Sequence, residues 1–88
     1  MNITEYDAEA IADNAEATLY PDYSGRGMYG SQCVGFSVRG GNAEARVTKA
    51  IIRSLDDAFA DEMLSALRTD SLGLGTIVYF PGITLDGE

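Results

Sequence analysis

Apolar residues recur at helical spacing near the start of the chain, where Ala8, Ile11, Ala12 and Ala15 form one stripe and Glu5, Glu9, Asp13 and Glu16 face the other way. The pattern predicts a helix from about Glu5 to Ala17, with Thr4 as N-cap and Asp7 at the reciprocal position of a capping box. Its alanine-rich face is narrow and permits close approach to a sheet. From about Gln32 to Val38 the period changes to two, so that Val34, Phe36 and Val38 share one face and Cys33, Gly35 and Ser37 the other. Small residues on a strand face let a helix or a ring lie close. Asn42 can cap a second helical stretch, Ala43 to about Arg68, in which Val47, Ile51, Ile52, Leu55, Phe59, Met63, Ala66 and Leu67 recur at three and four. A single helix of that length spans about 39 Å. Ser54 with Asp57 offers another capping box, so one long helix and two shorter ones both fit. Thr76 to Phe80 is β-branched or aromatic throughout and reads as a strand covered on both faces.

The breaks between these elements are marked by proline and glycine. Pro21 is expected to end regular structure and to open a glycine-rich loop; Gly40-Gly41 makes a turn, Asp70 to Gly75 reads as a loop, and Pro81-Gly82 stops the last strand. The order is helix, Gly-rich loop, strand, one or two helices, strand, which is an α+β domain or a small α/β unit over residues 1–88. Helix between the two strands admits a right-handed parallel crossover. Two strands alone are marginal, so Thr18 to Tyr20 as an edge strand, or a second copy in a homodimer, is expected to complete the sheet. A domain this short buries only about 60–65% of the surface of its unfolded chain, which leaves a thin margin.

Net charge is −8, distributed unevenly. Residues 1–24 hold six acids and no base, residues 25–55 five bases and one acid, and residues 56–88 seven acids and one base. The net charge repels a polyanion overall, although one could still meet the basic third, and direct nucleic-acid binding is not expected. With no histidine, imidazole-based triads and zinc sites are excluded. Cys33 is the single cysteine and allows no intramolecular disulfide; in a strand without an activating base it reads as a buried structural thiol. The first thirty residues lack a basic start followed by an apolar run, and no stretch approaches the roughly 20 apolar residues of a membrane span. The expectation is a cytoplasmic protein that is not an enzyme, with no catalytic residue, metal or cofactor.

Candidate chemistry concentrates in Tyr20 to Gly30, which holds three tyrosines, three glycines, a proline and an arginine. Gly25-Arg26-Gly27-Met28-Tyr29-Gly30 matches G-x-G-x-x-G, but a proline turn precedes it and a strand follows, so the helix N-terminus of a dinucleotide site is missing. Three readings remain open. The glycines supply positive φ in a tight turn whose tyrosines close the core; or Gly25, Arg26, Gly27 and Gly30 cradle a phosphate or nucleotide; or Tyr20, Tyr23, Arg26, Met28 and Tyr29 form a protein-binding anchor, since tyrosine offers rigid contact area at low entropic cost. Asp56, Asp57, Asp61 and Glu62 make an acidic patch, read either as a solvated helix face or as carboxylates that imitate phosphates in a partner's basic channel. Arg46, Lys49 and Arg53 share a helical face and read as solvated, as neutralised by the acidic first helix, or as a contact for an acidic partner or a nucleic-acid backbone, the last weakened by the net charge and the shortage of aromatics on that segment.

Tyr23-Ser-Gly-Arg-Gly-Met-Tyr-Gly30 with Cys33 shortly after, and Gly73-Leu-Gly-Thr-Ile-Val-Tyr-Phe-Pro81, resemble two landmarks of small acidic proteins encoded by bacteriophages and prophages. Together they span about a quarter of the chain and carry over no catalytic residues. The resemblance implies an inhibitor or modulator of a host or defence complex, of the anti-CRISPR kind, whose partner is a protein assembly that can itself bind nucleic acid.

Overall fold

The computed structural model describes residues 2–25 and 27–86, with the side chains of Leu72 and Asp86 excepted. Among these residues the chain forms β1 (Asn2–Thr4), α1 (Glu5–Ala15), β2 (Thr18–Tyr23), β3 (Cys33–Arg39), α2 (Ala43–Ser54), α3 (Asp57–Ser65), β4 (Arg68–Leu72), β5 (Gly75–Tyr79) and β6 (Thr84–Asp86). The domain is α+β. Four strands make an antiparallel sheet in the order β2-β3-β5-β4, and β1 pairs with β6 in parallel as a separate ribbon. No helix among the described residues is long and apolar enough to cross a membrane.

The first helix starts as its sequence requires. Thr4 is extended and its hydroxyl accepts the Asp7 N–H at 3.1 Å, which satisfies one of the orphan donors of the first turn. At the other end Glu16 takes φ 55, and the helix has no basic residue in its last turn. Arg46 supplies that charge from α2. Its Nε and Nη2 donate to Ala15 O at 3.1 and 2.8 Å, Nη2 also reaches Glu16 O at 3.3 Å, and Nη1 donates to Arg39 O at 3.3 Å. One guanidinium thus ties the end of α1, the end of β3 and the first turns of α2.

The helical stretch after Asn42 is broken, and the break is two residues from the expected cap. Leu55 is extended, and Asp56 rather than Ser54 caps α3, its Oδ1 accepting the Phe59 N–H at 2.9 Å. Ser54 accepts instead from Asn14 Nδ2 at 3.2 Å, joining α2 to α1. Asn42 also departs from its expected role: it sits at φ 64 and makes no side-chain cap.

The strand direction that the sequence left open is decided, and two further expectations are corrected. β3 and β5 run antiparallel, because the chain returns from α3 through β4 and reverses at Gly73-Leu74 before entering β5. The segment expected as a loop, Asp70 to Gly75, is therefore most of a hairpin; the polar strand Arg68–Leu72 has weak intrinsic β preference but gains a ladder on one side as a sheet edge. Pro21 does not end regular structure. It lies inside β2, the opposite edge strand, where a missing N–H removes no ladder bond.

The expected alternation in β3 holds and sets two cores. On the helix side Val34, Phe36 and Val38 pack with Val78, Phe80, Ile11, Val47, Ile51 and Met63, all fully buried, and Phe36 meets Phe80 edge-on at 5.9 Å. Ile3 of β1 and Ile83 before β6 close one end of this layer. The other face of the sheet carries a small cluster of Met28, Cys33, Ile77 and Tyr79, with Tyr23 over it.

Arg46→Ala is expected to destabilise the domain by about 1.5–3 kcal/mol, the range for hydrogen bonds to a charged group. Glu16→Gln removes only the exposed ion pair at 3.3 Å and is expected to cost under about 1 kcal/mol. Urea denaturation of both variants measures the difference, and equal losses would refute the assignment of Arg46 as the clamp on α1.

Candidate functional site

Tyr20 and Tyr23 are three residues apart and would face opposite sides of a regular strand. A bulge between them changes this. Tyr20 pairs with Gly35 and Tyr23 with Cys33, so three steps on β2 match two on β3 and both tyrosines emerge on the face away from the helices. Tyr23 then lies across the sheet. Gly35 gives it room, since a Cβ there would stand 3.4 Å from Tyr23 Cβ and 3.2 Å from Ile77 Cδ1. Its ring packs against Tyr79 of β5, centroids 4.9 Å apart, and its hydroxyl donates to Asp70 Oδ2 of β4 at 3.3 Å.

The glycine-rich segment is seated on these rings. A Cβ on Gly25 would meet Tyr79 Cζ at 2.7 Å and Tyr23 Cε2 at 3.0 Å, so only glycine brings the backbone this close. The Gly25 N–H donates to Met28 Sδ at 3.1 Å, and the Met28 N–H to Gly25 O at 3.2 Å. Met28 is thereby drawn into the cluster with Cys33, Ile77 and Tyr79. A second turn follows immediately, closed by Ser31 N–H to Met28 O at 3.0 Å, with Tyr29 at φ 54 and Gly30 at φ 88. Positive φ at both central positions is the type I′ pattern, which glycine or asparagine adopts readily and a bulky aromatic residue does not. Tyr29 is held there 99% exposed.

The sequence-predicted residues therefore separate. Tyr29 projects at the loop tip and Tyr20 is partly exposed on the sheet face, whereas Tyr23 is half-buried and Met28 is buried as an internal anchor of the loop. Arg26 lies outside the described residues. Gly25 serves close approach, Gly27 and Gly30 take positive φ at 83 and 88, and the segment leads into β3 rather than opening a helix. Asp56, Asp57, Asp61 and Glu62 are exposed on and before α3, with Asp56 engaged as its cap.

Sequence reasoning missed three features. Tyr6 is exposed on α1 between Glu5 and Glu9, and its position off the apolar stripe was the available signal. Asp70 holds the Tyr23 hydroxyl, a pairing across 47 residues that no local pattern shows. A cavity of about 390 Å³ beside β2 is lined by Leu19, Pro21 and Leu85 with Glu5 and Asp22 among its polar groups. Its combination of apolar wall and carboxylates suits the stem and head of a lysine or arginine.

Burial raises the Tyr23 pKa above its ordinary 10.0, with the Asp70 charge and hydrogen bond adding to the effect. Burial also raises Cys33 above its ordinary 9.0, partly offset by a backbone hydrogen bond from Phe80, so the thiol is held in its unreactive form. Comparison of the chain with protein families, curated proteins and solved structures finds no match.

Both raised groups are neutral when protonated, so their linked stability is complete below pH 9 and lost as pH climbs through the raised values. Tyr23→Phe is expected to cost about 1 kcal/mol at neutral pH and to flatten the part of the alkaline decline that begins near pH 10. Stability measured against pH in both proteins checks this; an unchanged alkaline limb would sink the link to Tyr23. Gly25→Ala is expected to lose roughly 1–3 kcal/mol by overpacking against the rings of Tyr79 and Tyr23, read by the same denaturation assay.

Proposed function

We propose that this protein acts by binding another macromolecule, as an inhibitor or modulator of a host or defence protein complex, and not by catalysis. The observation that carries the reading is Tyr29: a bulky residue held at φ 54 and 99% exposed, on a turn whose neighbour Met28 is locked into the interior. Backbone strain at an exposed aromatic tip has no use within the fold, and a rigidly presented tyrosine loses little entropy on docking. Tyr20 adds apolar area on the sheet face. The carboxylates of α3, with Glu5 and Asp22 at the cavity beside β2, favour a partner with a basic surface and steer its approach. The resemblance to phage-encoded proteins supplies the partner class.

Tyr29→Gly tests the reading cleanly. Relief of the left-handed conformation is expected to leave the protein as stable as before or more stable by about 1 kcal/mol. Capture of a protein complex from bacterial lysate by tagged protein, followed by mass spectrometry, is expected to fall at least tenfold. Undiminished capture by this variant would remove Tyr29 from the interface.

A further inference from the structure

The two edges of the four-stranded sheet are not equivalent. β2 is blunted by Pro21, which has no N–H, and by its bulge. β4, at the other end of the strand order, has neither protection. The hairpin fixes which of its backbone groups are free. Leu72 and Gly75 flank the two-residue turn and form its hydrogen-bonded pair, so the alternate residues Thr69 and Ser71 aim N–H and C=O away from β5. The Ser71 N–H confirms this direction by taking a side-chain acceptor, Asp70 Oδ1, at 2.9 Å.

We propose that β4 is a self-pairing edge, through which two copies join antiparallel about a two-fold axis at Thr69 and fuse their sheets. The register follows from charge. With Thr69 opposite Thr69 of the second copy, Arg68 falls opposite Asp70 on the face away from the helices, twice per interface. Centring the pair one residue on would set the two Asp70 carboxylates against each other. In the chosen register the Ser71 N–H passes from Asp70 Oδ1 to the Leu67 carbonyl of the second copy. The freed Oδ1 receives the Arg68 guanidinium, while Oδ2 keeps the Tyr23 hydroxyl.

Two surroundings of the strand agree with this occupant. An open hollow of about 530 Å³ between Thr69, Thr76 and the first turn of α2 leaves the helix-side flank of the edge clear for a neighbour. Leu74, 89% exposed at the hairpin tip, is carried toward the end of α3 in the second copy, where Leu64 and Leu67 are half-buried. This pairing does not depend on the partner-binding role of Tyr29.

Sedimentation of the full chain over a range of concentrations, at physiological ionic strength where repulsion between two copies of charge −8 is screened, tests the proposal. A concentration-dependent dimer is expected. Arg68→Asp and Asp70→Arg each place like charges opposite one another and should weaken it about tenfold or more. Mixing the two variants should restore a dimer, because every changed side chain then faces its complement. Thr69→Pro removes an outward N–H without touching the β4–β5 ladder and should give a folded monomer by circular dichroism. A wild-type monomer at every concentration, a dimer that survives Arg68→Asp, or a mixture that stays monomeric would each overturn the pairing.

Discussion

The face of the sheet away from the helices is closed by a small cluster of Met28, Cys33, Ile77 and Tyr79, and one tyrosine reaches across the strands above it. Tyr23 starts on one edge strand and finishes on the opposite one, passing over Gly35 and Ile77, resting on Tyr79 and ending at Asp70. Its position depends on two departures from regular structure: the bulge that turns it to the right face and the glycine that leaves space beneath it. The Gly25 backbone then lies on the ring pair, Met28 seals the edge of the cluster, and the loop that follows has a floor. In a domain of 88 residues, where buried surface is scarce, this second small core fixes the loop as well as the sheet.

The helix side is held by different means. Apolar packing around Phe36, Phe80, Ile11, Val47 and Ile51 supplies most of the burial, and Arg46 ties α2 to α1 by donating to the carbonyls at the α1 carboxyl end. The basic stripe on α2 thus begins with a residue whose guanidinium is engaged by the end of α1.

Rigidity and exposure meet in the loop. Its interior members Gly25 and Met28 are fixed by contacts with rings and sulfur, and its outer member Tyr29 is displayed in a conformation that only a well-anchored turn maintains. That division of labour suits a recognition element, and it leaves the open β4 edge on a different strand for a different contact.

The sequence by itself determined the first helix with its Thr4 cap, the alternating strand around Phe36, the apolar strand around Val78 and the α+β class. These rest on local periodicity and turn chemistry, which neighbouring residues fix among themselves. Only the tertiary structure decided that Arg68–Leu72 is a strand, that β3 and β5 are antiparallel, and that Met28 points in while Tyr29 points out. The polar β4 becomes a strand through its ladder to β5, and Tyr23 finds its place through Gly35 and Asp70. Each of these is a pairing between residues far apart in the chain, whose free energy exists only once the sheet has formed.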